Sequence, residues 1–132
     1  MFRSIATVVG CYVLSVVLVV CTDPLLSRLF PGDFVRGHIP SNAPLVVSTG
    51  CFFVVSIFCA WLCARFSTVA SRGVLWFFAV GEVMGVVFAV VNWNSGWPHW
   101  YGLSWLLVWP VGCWIGLALS PKTENQAAAA SA

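Results

Sequence analysis

Glu82 is the one charged side chain that falls inside a long apolar stretch of this chain. A charge at mid-bilayer depth costs about 2.5–3.5 kcal/mol on insertion scales, so such a residue must face protein or a cavity rather than lipid. Two kinds of chemistry follow. As a neutral acid it would donate a hydrogen bond inside a bundle and act as structural glue. As a titrating group it would carry a proton or bind an ion. Matching depth across antiparallel spans puts Tyr12, Ser15, Ser56 and Pro110 at about its level. Pro110 has no N–H to give the carbonyl of Leu106, and a protonated Glu82 is expected to donate to that oxygen.

The remaining candidates are weaker. Gly81 and Gly85 form one GxxxG pair, extended to Ala89, and Gly112 and Gly116 form another, extended to Ser120. Small residues let helix backbones approach where no hydrophobic effect drives association. These pairs are expected to pack the third and fourth spans together, or one copy of the chain on another. Trp105, Trp109, Gly112 and Gly116 share one stripe at helical spacing. The cysteines, Cys11, Cys21, Cys51, Cys59, Cys63 and Cys113, lie in apolar stretches and read as small packing residues; Cys59 and Cys63 sit one turn apart but have no His or acidic partner at matching depth for a metal. His38 and His99 fall in loops, with Asp33 near the first, and read as interfacial polar residues. No nucleotide loop, Ser/His/Asp set or carboxylate pair occurs, so neither an enzyme nor a bound metal or cofactor is expected.

The elements that must position these residues follow from composition. Of 132 residues, 61% are hydrophobic and only 8% charged, against a usual ~25%. A soluble globule of this size would expose roughly 6,800 Å² with about one charge per 700 Å², an apolar surface no soluble monomer tolerates. That excludes a soluble domain, a disordered chain and a basic nucleic-acid binder. The solvent is the lipid bilayer. Four stretches, about 4–22, 44–64, 73–93 and 101–119, suit the ~20 residues a crossing needs. The expectation is an all-α membrane protein, an antiparallel four-transmembrane-helix bundle over 1–119, with a disordered polar and Ala-rich tail at 120–132.

Arg3, Arg65, Arg72 and Lys122 would lie on one side and Arg28 and Arg36 on the other. The bias places both termini in the cytoplasm. Arg3 and the apolar run after it could also be a signal peptide, whose cleavage would leave three spans; the run is longer than a usual signal core. Trp93, Trp97, Trp100, Tyr101 and Trp105 cluster at the outer end, and Trp61 and Trp76 flank the inner loop, as interfacial anchors do. In the first outer loop Asp23 can cap a short helix opened by Pro24, with Leu25, Leu26, Leu29 and Phe30 lying in the interface. Pro31-Gly32 fits a type II turn that would end it.

By span count, loop pattern and the stretches PGDF…GHIP and WPHWYG, the chain resembles small uncharacterised four-span proteins of the bacterial inner membrane. That resemblance implies a fold and a membrane but names no activity. The small multidrug exporters are similar in size and in one membrane-embedded glutamate. Theirs lies in the first span, whereas Glu82 is in the third. Two functions are therefore expected to compete: a non-catalytic accessory or scaffolding subunit bound to a membrane-protein partner, and a small homo-oligomeric proton-linked transporter or channel using Glu82.

Overall fold

In lipid every peptide group must be satisfied within its own segment, so unbroken apolar runs become helices. A computed structural model describes residues 2–33, 38–121, 129 and 131, without the side chains of 2–4. Its helices are α1 (Phe2–Leu29), α2 (Asn42–Phe66), α3 (Ala70–Val91) and α4 (His99–Ala118). Their 28, 25, 22 and 20 residues extend about 42, 38, 33 and 30 Å at 1.5 Å per residue. All four are long and apolar enough to cross a membrane. The chain is a four-helix, all-α membrane bundle. The disordered tail expected beyond Ser120 falls mostly outside the described residues.

The first outer loop departs from expectation. No separate interfacial helix forms; α1 runs through Asp23 and Pro24 to Leu29. Proline's fixed φ suits a helix, and its cost is one missing donor to the carbonyl of Val20. Ser and Thr side chains help carry such a helix through, and here the Thr22 hydroxyl donates to the Val19 carbonyl at 2.6 Å and Ser27 to the Pro24 carbonyl at 2.9 Å. Leu26 is buried while Leu25 and Leu29 are exposed. Asp33 N–H closes a turn onto the Phe30 carbonyl at 3.1 Å. Gly32 does not take a positive φ, so the turn is not type II. The Asp33 carboxylate accepts from the Ser41 N–H at 3.0 Å and ties the loop's start to the N-cap of α2.

Two registers centre the bundle on α4. Its small and aromatic stripe meets α2 in parallel: Ser48 with Tyr101, Phe52 with Trp105, Ser56 with Gly112, Ala60 with Gly116. A different face meets α3 antiparallel, Gly81 against Trp109, Gly85 against Leu106 and Gly102 against Ala89. The α3 pair thus packs on α4 as expected. The α4 pair does not; Gly112 and Gly116 receive α2. A Cβ at Gly116 would lie 2.6 Å from the Ile57 carbonyl oxygen and 2.7 Å from the Ala60 Cβ. Helix α1 packs on α2 and α3 and scarcely touches α4.

The core is uneven along the membrane normal. At the end holding the Ser67–Val69 turn, Cys11, Cys59, Ala60, Cys63, Ala64, Ala70, Val74, Phe77 and Cys113 form a buried cluster. Ser67 is fully buried there, in space that Gly73 leaves open. All six thiols are free, and four of them pack as small apolar groups. Beyond Phe77, α3 buries no residue completely.

These contacts rank the glycines. Gly116→Ala forces backbone apart and is expected to cost about 1–3 kcal/mol, as overpacking does. Gly10 meets nothing within 4 Å, so Gly10→Ala should preserve or raise stability by up to about 1 kcal/mol. Thermal melts of the two variants in one detergent check the ordering.

Candidate functional site

The turn of α3 that carries Glu82 is fixed by Trp109. In an α-helix the Phe78 carbonyl takes the backbone N–H of residue 82. Here the same carbonyl also accepts the Trp109 indole N–H at 3.1 Å. The ring reaches it because Gly81 has no Cβ to stand in its way. Trp109 itself is 4% exposed, with its ring centroid 4.8 Å from Phe77 and 5.6 Å from Phe52.

The ring series continues away from this point. Phe52 stacks on Trp105 at 4.2 Å and 12°, Trp105 on Phe88 at 5.5 Å and 16°, and Tyr101 meets Trp105 edge-on at 5.5 Å. Tyr101 is buried and its hydroxyl lies 3.1 Å from that of Ser48. Tyr101 and Trp105 therefore pack on rings within the bundle. The helical stripe they share with Trp109 turns them towards α2. Trp93 and Trp100 remain exposed, as expected of anchors.

Between these rings and α1 lies a cavity of about 250 Å³. Tyr12, Ser15, Val16 and Val19 line one side, and Phe52, Gly81, Glu82, Gly85, Trp105 and Trp109 the others. It exists because α1 and α4 do not close on each other. Val16 and Val20 of α1 and Met84 and Phe88 of α3 line it and are themselves exposed, so it opens sideways between these helices. Glu82 Oε2 is buried on its wall without a hydrogen-bond partner. The buried Trp105 indole N–H likewise closes no hydrogen bond, with the Tyr101 hydroxyl its polar neighbour.

The depth match for Tyr12 and Ser15 holds; both share the cavity with Glu82. The Ser15 hydroxyl donates to the Tyr12 carbonyl at 2.7 Å. Ser56 is elsewhere, fully buried against Gly112 and donating to the Phe53 carbonyl at 2.7 Å. The expected bond from Glu82 to the Leu106 carbonyl is not made; Leu106 presents its side chain to the same cavity. His99 stacks on Trp93 at 4.2 Å, and its Nε2 lies 3.1 Å from the Trp93 carbonyl oxygen. No group of three His, Cys, Asp or Glu side chains among the described residues could hold a metal ion. Sequence reasoning missed Phe52, one apolar residue among many. It placed Trp105 both on the helical stripe with Trp109 and among the interfacial anchors, and the stripe is the placement its stacking on Phe52 follows.

No protein-family model, curated protein or solved structure matches the chain.

A carboxyl group set in an apolar wall without a partner burdens the fold. Glu82→Leu is therefore expected to raise stability in detergent by on the order of 1–2 kcal/mol, read as a higher melting temperature. A fall would instead make Glu82 a structural bond.

Proposed function

We propose that the protein is a small multi-pass transport protein in which Glu82 titrates inside the intramembrane cavity. The observation that carries this reading is the unpartnered, buried Oε2 of Glu82 on a cavity wall. An accessory or scaffolding subunit would spend its one intramembrane acid on internal hydrogen bonds, and no hydrogen bond among the described residues uses it. The lateral opening between α1 and α3 suits a solute that partitions into the membrane, because apolar walls offer nothing to a strongly hydrated one.

A cavity of about 250 Å³ does not traverse a hydrocarbon core of ~30 Å. The transport reading therefore includes a homo-oligomer, in which a second copy completes the path. Arg65 and Arg72 flank the α2–α3 turn, and their charge supports a topology with that end and both termini on the cytoplasmic side of a bacterial plasma membrane. In a transport cycle, protonated Glu82 would face the dry cavity and release its proton when water or substrate reaches it. The carboxylate would then take its next proton from the opposite side, so that each cycle moves one proton across the membrane.

The test is proton flux into liposomes containing the full-length protein and a trapped pH-sensitive dye. Wild type should dissipate an imposed pH gradient faster than protein-free liposomes. Glu82→Gln should fall to the protein-free rate, and Glu82→Asp should retain part of the activity. Equal rates for wild type and Glu82→Gln would refute the reading.

A further inference from the structure

A second void lies in the other half of the α1–α3 crevice. Ile5, Val8 and Val9 of α1 face Gly73, Trp76 and Val80 of α3 across about 670 Å³, with Thr68, the N-cap Val69 and Arg72 lining the end at the α2–α3 turn. The α1 residues are spaced by three and four positions, and those of α3 by three or four throughout, so each set is one helix face. Arg72 to Val80 covers about 12 Å of depth at 1.5 Å per residue. The groove thus has a charged mouth at the membrane surface and a hydrocarbon wall running inward from it.

In a bilayer such a groove does not stay empty. Its lining would lose van der Waals contacts on one side, and water would have to wet Ile5, Val8, Val9 and Val80. Lipid chains are the filler at hand, and the rim decides which lipid. The Arg72 guanidinium has no ion-pair or hydrogen-bond partner among the described residues. Arg65, at the same end, lies over the Trp61 ring at 5.5 Å. The described acids are elsewhere: Asp23 and Asp33 at the far end, Glu82 in mid-helix. The N-terminus of α3, whose N-cap Val69 supplies no capping side chain, adds partial positive charge to the same rim. A parallel second copy would bring another Arg72 and Arg65 to this end, like charge against like.

We propose that the groove is a binding site for an anionic phospholipid. Its phosphate pairs with Arg72, and one acyl chain lies between α1 and α3 down to Val80. Trp76, exposed on the groove wall, packs along the chain near the headgroup, where amphipathic rings are favoured. The site stands apart from Glu82 and does not depend on the transport reading.

Native mass spectrometry of the full chain, released from micelles titrated with phosphatidylglycerol or phosphatidylcholine, tests the proposal. Wild type should retain phosphatidylglycerol adducts preferentially. Arg72→Gln should lower that preference about fivefold, the worth of one basic side chain at a membrane surface. Arg72→Lys should keep most of it, and Arg65→Gln should leave it unchanged. Filling the groove with Val9→Trp should reduce adducts of both lipids. Equal retention of both lipids by wild type would overturn the proposal, as would equal losses from Arg65→Gln and Arg72→Gln. A dimer that persists as lipid is added and vanishes in Val9→Trp would overturn it too, giving the groove to a second copy.

Discussion

The Trp109 side chain is the contact on which the rest of the bundle depends. Helices in lipid gain nothing from burying apolar surface against one another, since lipid tails are equally apolar. They associate through close packing and through polar groups that find partners. Trp109 does both. Its ring occupies the space that Gly81 leaves open, its N–H closes on the Phe78 carbonyl, and its faces meet Phe52 and Phe77. One side chain of α4 thereby fixes α2 and α3 together. Three residues further on, the same helix turns Gly112 and then Gly116 to the backbone of α2. The parallel α2–α4 pair becomes a rigid spine, and α3 is docked on it at the level of Glu82.

What this spine leaves loose is as informative as what it holds. Small side chains fill the half near the Ser67–Val69 turn, where cysteines, alanines and Gly73 allow the helices to close. In the other half the rings of Phe52, Trp105 and Phe88 prop α2, α4 and α3 apart. Aromatic stacking gives each pair about 0.5–1.5 kcal/mol beyond area burial, so a propped half is not a weak half. Rings are rigid, however, and cannot fold inward to close a gap as a methionine can. The Glu82 cavity is the space that rigid walls on three helices leave against α1.

How much of this was legible in the sequence depends on which physical signal each residue carries. Length and hydropathy fix the four crossings, because the bilayer imposes one thickness on every span. Glu82 stands out for a similar reason: its cost in lipid is large whatever surrounds it. Its partners are a different matter. Depth matching brought Tyr12 and Ser15 to the right place but also proposed Ser56, because depth fixes a level and not a rotation about the helix axis. Only the packing of Gly112 shows that Ser56 turns away from the cavity. Trp105 was read in two ways because a tryptophan near a span end satisfies two rules at once, the interfacial belt and the helical stripe. The stripe wins here because Phe52 offers a stacking partner. Pro24 was misread because a proline after an aspartate signals a helix start in water. A helix already formed in lipid has no competing solvent for its backbone, and loses only one bond by continuing through it.

The distribution of charge draws these strands together. With six basic and four acidic side chains in the whole chain, few ion pairs are available to steer folding, and the glycine registers do that work instead. The charges are thereby free to mark surfaces. Glu82 and Arg72 each border a void, and both voids lie between α1 and α3. One face of α1 serves both: Ile5, Val8 and Val9 at one level, Tyr12, Ser15, Val16 and Val19 at the next. Since α1 has little hold on α4, its position is set by α2, by α3 and by whatever occupies the crevice between α1 and α3. A shift of α1 along or away from α3 therefore changes the width of both voids together. Helix α1 is thus the element that borders both voids, and each void has one charged residue in its lining, Glu82 or Arg72.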